Sequence, residues 1–122
     1  LIIGGSYGAG NYAMSGRAYR PRFMFAWPSS KLAVMGGEQA AKTMTDIKIS
    51  KMGKMEDKQV EEIFNTLKTR YDKQSDPRYA AARLWTDMII NPIETREKLI
   101  YALDVINNQD KIPAPNFGVL QV

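Results

Sequence analysis

Four of the first ten residues are glycine, in "LIIGGSYGAG", directly after three apolar side chains. Glycine weakens regular structure through its backbone freedom, so such a cluster marks a place where the chain turns sharply or comes close to something. Leu1–Ile3 with Gly4 reads as the end of a buried strand, and Tyr7 to about Arg17 as a turn running into a helix. "FMFAW", Phe23–Trp27, is a short strand bounded by Pro21 and Pro28-Ser29-Ser30. "KLAVM", Lys31–Met35, is another, and Gly36-Gly37 turns it into a helix starting near Glu38. Strand, glycine turn and helix, twice over, predict an α/β fold.

The second half reads as helical. Val60, Ile63, Phe64, Leu67 and Tyr71 share one helical face, with Glu61, Glu62, Lys68 and Arg70 between them. Asp76-Pro77 offers an N-cap and a proline at N1 for a helix through Trp85. "NPIE" repeats the device with Asn91, Pro92 and a capping-box Glu94, opening a last helix whose expected buried stripe is Leu99, Ile100, Leu103 and Ile106. The organisation expected is a glycine-turn core over 1–42, a lysine-rich mobile connection over 43–55, helices over 56–112 and an extended tail over 113–122 after Pro113.

With 122 residues, 44% hydrophobic and 25% charged, the chain is one modest globular domain's worth. It contains neither histidine nor cysteine. Ser–His and Cys–His nucleophile pairs, disulfides and the usual zinc ligand sets are therefore excluded, and no metal site is expected. Chemistry here must use backbone dipoles, carboxylates, lysines, tyrosines or a cofactor. The net charge of +4 is uneven. Residues 1–37 hold Arg17, Arg20, Arg22 and Lys31 without one acid, while the other 85 residues hold 13 of each sign. An acid-free, glycine-rich segment suits an anionic ligand. Nucleic acid is the weaker form of that reading, because the basic residues lie among core signals rather than in a dense stripe.

Gly8-Ala9-Gly10-x-x-Ala13 formally matches a dinucleotide fingerprint. Its acidic partner is missing at the expected distance of about 20 residues; the first acid is Glu38, 28 positions after Gly10. The alternative starts from the absent histidines. A glycine turn entering a helix presents unpaired N–H groups, with the helix dipole behind them, to negative charge on a ligand. Where that charge develops during a reaction, the donors form an oxyanion hole. The structural alternative, glycines that only let strand and helix pack closely, stays open on these residues alone.

"GGSYGAGNYAMSGRAYRPRFMFAWPSSKLAVMGGEQAA" closely resembles the carboxyltransferase (β) subunit of biotin-dependent acyl-CoA carboxylases, with the methylcrotonyl-CoA carboxylase branch nearest. "YAAARLWTDMIINPIETREKL", Tyr79–Leu99, resembles the same family's C-terminal segment, so the similarity runs in order along nearly the whole chain and is weakest over Thr43–Ser75. The resemblance implies a crotonase-like fold and a piece from the C-terminal half of a longer subunit, with no turnover by the piece alone. It implies that this half meets carboxybiotin while the other half, often from a neighbouring subunit, holds the acyl-CoA. By motif position, the amides of Ala9 and Gly10 would stabilise the charge on the biotin ureido oxygen, with Gly8 shaping the turn. Asn11 and Tyr12, in the first helical turn, are expected either to line the pocket or to serve packing and capping, and Gly36-Gly37 either to form a second pocket wall, as the resemblance implies, or to make a tight turn. Biotin is expected on a partner α subunit rather than on "SKMGKM", Ser50–Met55, which lacks the rest of an attachment motif. The remainder of the β subunit and further β copies, a hexamer by resemblance, complete the expected assembly. The compartment would be cytoplasmic in a bacterium and the mitochondrial matrix in a eukaryote. Ser15 stands where the nearest relatives often carry cysteine. Sibling propionyl-CoA, geranyl-CoA or glutaconyl-CoA chemistry, or a non-catalytic assembly module, are the alternatives.

Overall fold

The computed structural model describes residues 1–53, 56–109, 111 and 114. Two small parallel sheets organise the chain. Strand β1 (Gly5–Tyr7) pairs with β3 (Lys31–Ala33) in the register Gly5↔Lys31 to Tyr7↔Ala33. Strand β2 (Phe25–Ala26) pairs with β4 (Met88–Ile89), and Ile2 adds one parallel bridge to Ala26. Parallel pairing needs long crossovers. The first carries helix α1 (Gly10–Ala13) and β2; the second carries α2 (Gly37–Met52), α3 (Asp57–Gln74) and α4 (Pro77–Ala81), while α5 (Thr95–Asn107) follows β4.

The α/β reading holds, with shifts. The first strand lies at Gly5–Tyr7 rather than Leu1–Ile3, and Leu1 and Ile3 are exposed rather than buried. Gly5 fits the strand because the Tyr7 ring lies over it, 2.6 Å from where a Cβ would stand. Strand β4 is an element the sequence reading lacks. It is fixed by Asp87, whose N–H donates to the Met24 carbonyl at 2.8 Å while its carboxylate accepts from Met24 N–H at 2.6 Å. Residues 43–52, expected as a connection, continue α2, which packs along α3. All five apolar residues of the α3 stripe, Val60 to Tyr71, are half-buried. A methyl at Gly37 would come within 2.2 Å of an Asp72 carboxylate oxygen, so that glycine lets the start of α2 approach the end of α3.

The helix expected through Trp85 stops at Ala81, because Leu84 takes a left-handed backbone (φ 58°) and Trp85 N–H turns back to the Ala80 carbonyl. Asp76 caps α4 as read, accepting from Arg78 N–H at 2.8 Å. Its carboxylate also accepts from the Arg78 guanidinium at 2.9 and 3.1 Å, and that hydrogen bond chiefly holds it below the usual aspartate range. A depressed carboxylate stabilises the fold above its unfolded pKa and loses that contribution as pH falls through the folded value. Asp76→Ala is therefore expected to cost about 1 kcal/mol at pH 7. The difference from wild type should shrink below about pH 4, read by unfolding midpoints across that range.

Asn91 caps the next turn, a short 3-10 segment at Pro92–Glu94, by accepting from Ile93 N–H at 3.2 Å. Helix α5 then docks through Ala102 against Phe25 and Ile90, with Phe23 and Trp27 packed alongside. The Trp27 indole N–H donates to the Thr95 hydroxyl at 2.9 Å, which makes Trp27 part of this core. The expected buried stripe is corrected here. A small residue at the seam brings the helix close, and Leu99, Ile100 and Leu103 are left 40%, 51% and 57% exposed. The tail expected over 113–122 lies, but for residue 114, outside the described residues.

Candidate active site at the glycine turn

Because β1 and β3 are parallel neighbours, both glycine turns leave the same edge of their sheet. After Tyr7 the chain reverses at Gly8, which has φ +50°. A side chain there is strained by its clash with the following carbonyl, so the conformation favours glycine although a methyl would find room, its nearest neighbour being the Val34 carbonyl oxygen at 3.4 Å. Ala9 follows at φ −60°, ψ −24° and α1 begins at Gly10. The turn closes through Asn11 N–H to the Gly8 carbonyl (3.1 Å), and Tyr12 and Ala13 N–H to the Ala9 carbonyl (3.1 and 2.9 Å).

Those bonds consume the amides from residue 11 onward and leave two behind. Among the described residues, neither Ala9 N–H nor Gly10 N–H donates to any protein acceptor, and both residues are exposed. A methyl built on Gly10 meets nothing within 4 Å. Two adjacent donors are thus left without a protein partner among the described residues, as a site for an anion or developing oxyanion requires. A cleft of about 300 Å³ reaches Gly10, with Gly5, Ser6, Asn11, Met14 and Gly16 among its other walls, but neither Gly8 nor Ala9 lines it.

The expected helix to about Arg17 is corrected: α1 has four residues, no side-chain cap and no buried residue. A helix this short builds little macrodipole, so the local donors, rather than a dipole behind them, are what the turn offers. The break has a cause. Ser15 takes φ +59°, and Gly16 is buried so tightly that a methyl there would sit 1.9 Å from the Asn11 carbonyl oxygen.

Asn11 lines the cleft, but its carboxamide is committed internally, accepting from the Ser6 hydroxyl at 2.5 Å and donating to the Ala33 carbonyl at 3.3 Å. Tyr12 is half-buried, its ring edge-to-face with Tyr19 at 6.4 Å, and it is not among the residues lining the cleft. Gly36 caps α2 at the shared sheet edge, yet neither it nor Gly37 lines the cleft. Arg17 donates to the Leu84 carbonyl and Arg22 to the Gln109 side chain, so two of the four early basic residues hold distant segments together. Ser6 and Gly16 are site residues that sequence reasoning missed. Ser6 carried a usable signal, a lone hydroxyl in a strand just before the turn, whereas nothing local distinguished Gly16. A second hollow of about 330 Å³, between β3 and the helices, is walled mainly by side chains such as Leu32, Val34, Met44, Tyr71, Tyr79 and Trp85. Among the described residues no acidic cluster fit for a metal ion occurs, and no helix is long and apolar enough to cross a membrane.

The Carboxyl transferase domain family matches residues 1–120. The biotin-dependent 3-methylcrotonyl-coenzyme A carboxylase beta1 subunit of Mycobacterium tuberculosis is 45% identical over 109 residues, covering 86% of this chain and 21% of that protein. The mitochondrial methylcrotonoyl-CoA carboxylase beta chain of Dictyostelium discoideum is 39% identical, covering 100% and 22%. Among solved structures, the geranyl-CoA carboxylase beta subunit of P. aeruginosa superposes with a TM-score of 0.78 at 39% identity, covering 100% of this chain and 23% of that one. The chain thus spans about a fifth of the length of the relatives it matches. The crotonase-like expectation agrees with these neighbours, and the chain belongs to the carboxyl transferase domain family.

Proposed function

We propose that this chain is the part of a biotin-dependent acyl-CoA carboxylase β subunit that receives carboxybiotin. The observation that carries the reading is the pair of adjacent amides, Ala9 and Gly10, left without a protein acceptor where Gly10 enters the wall of a cleft. A ureido oxygen accepts two hydrogen bonds, so the donor set fits the group chemically. Bound carboxybiotin would supply the carboxyl group. The chain's own part is to hold the two N–H groups where negative charge grows on that oxygen, which lowers the barrier without any residue changing protonation state. Gly8 sets their direction. The acyl-CoA would be held by the rest of the β subunit or by a neighbouring copy, and biotin would arrive on a partner subunit. The apolar flanks of α5 suit a helix that a larger assembly encloses. The 12S transcarboxylase, which superposes at 29% identity with a TM-score of 0.72, is described as a hexamer assembly.

3-Methylcrotonyl-CoA is the proposed substrate, since several relatives carry that name. Geranyl-CoA is the second reading, favoured by the superposition on a geranyl-CoA carboxylase. The compartment follows the source: relatives from Dictyostelium and Arabidopsis are named as mitochondrial. The test uses the full-length β subunit with its biotinylated partner, ATP and labelled bicarbonate. Label should enter 3-methylcrotonyl-CoA in preference to geranyl-CoA and propionyl-CoA. Preference for geranyl-CoA would select the second reading, and no label in any thioester would overturn the proposal.

A further inference from the structure

What holds the two amides in place is the question the turn leaves. Helix α1 contributes little: it is four residues long, buries no side chain and has no capping side chain. From the turn itself only Gly8 N–H reaches back to β3, at a long 3.4 Å from the Ala33 carbonyl. While Tyr12 packs edge-to-face on Tyr19, Asn11 supplies a second tie to β3. Its amide nitrogen donates to the same Ala33 carbonyl at 3.3 Å, and its oxygen accepts from Ser6 Oγ at 2.5 Å. The orientation follows from chemistry. A carbonyl oxygen can only accept, so the NH₂ must face Ala33, and the oxygen is then left to the Ser6 hydroxyl.

We infer that Asn11 is a positioning residue, its carboxamide oriented by Ser6 and pinning the first turn of α1 to β3 so that the Ala9 and Gly10 amides keep one direction. The inference rests on the proposed function and adds to it a different role for Asn11 from that of a pocket ligand. One residue thereby joins three elements: Ser6 on β1, Ala33 on β3 and the start of α1. Oxyanion donors act only within a narrow geometry, and a displacement of about 1 Å can cost a hundredfold in rate.

The test uses the assembled holoenzyme, with 3-methylcrotonyl-CoA as the probe and each variant's melting temperature as the folding check. Asn11→Asp is nearly isosteric but sets an oxygen against the Ala33 carbonyl. It should lower kcat by about ten- to a hundredfold while KM for the thioester stays within about twofold. Ser6→Ala should lower kcat by a smaller factor of about three to ten, and Ser6→Thr, which keeps the hydroxyl, should recover most of that loss. Adding Ser6→Ala to Asn11→Ala should cost nothing more, since both remove one device. Should the Asn11 variants fail to assemble, the Ser6→Ala and Ser6→Thr pair decides alone. A wild-type enzyme that turns over while Ser6→Ala is neutral, or multiplicative losses in the double variant, overturns this inference and leaves the proposed function standing. Absence of wild-type carboxylation with any thioester overturns both.

Discussion

Ala9→Pro, in the full-length subunit assembled with its biotinylated partner, is expected to fold as wild type and to lose about a hundred- to a thousandfold in kcat. Proline deletes one donor at a φ that its ring accepts. Ala9 already sits at φ −60°, the value the pyrrolidine ring imposes, and its N–H makes no bond to the protein. The residue before it is Gly8, which has no Cβ to clash with the ring, so the remaining contact is between the ring and the Gly8 backbone N–H. The same change at Gly10 would be less clean, because proline disfavours the α region for the residue before it, and Ala9 is in that region at ψ −24°. Carboxylation rates with unchanged melting temperature check the prediction. Full activity in a folded Ala9→Pro enzyme would mean that the turn serves packing, and the backbone reading of the site would fall.

The second large effect is on stability. Gly16→Ala would place a methyl 1.9 Å from the Asn11 carbonyl oxygen and 2.8 Å from its carbon. Both are backbone atoms, so no side-chain rotation relieves the overlap and the first turn of α1 must move. The expected cost is about 3 kcal/mol, at the upper end for overpacked sites, and it should appear as a lower unfolding midpoint. Gly10→Ala is the control for folding: its methyl enters open space, so the midpoint should hold. Equal midpoints for Gly16→Ala and wild type would show that the loop from Met14 to Arg17 has room that the structure does not display.

Much of this architecture was legible because it depends on local chemistry. The stripe from Val60 to Tyr71 announced α3, and Asp76-Pro77 and Asn91-Pro92 announced their caps, since each needs only neighbours in sequence. The glycine turn was legible for the same reason, whereas Ala9 and Gly10 were singled out within it by the family resemblance. What escaped depended on distant partners. Strand β4 is two residues long and exists through Asp87 bonding Met24, 63 positions away. Asn11 was left between a pocket and a packing role because nothing in its own stretch points to Ala33, 22 positions on. The stripe of α5 misled for a different reason: apolar residues lie on both flanks of Ala102, and periodicity cannot say which flank meets this chain.

The two donors at Ala9 and Gly10 are peptide amides, and a peptide amide does not titrate in any range an enzyme experiences. Whatever acid or base steps a complete enzyme performs, this part of it adds no inflection to a pH–rate profile. It also has no side chain to remove, so scanning the turn with alanine leaves Ala9 untouched and reports on shape alone at Gly8 and Gly10. Chemistry stored in this way is silent to the two commonest probes of an active site. It answers to changes in the backbone itself, by proline or by replacing the amide linkage with an ester.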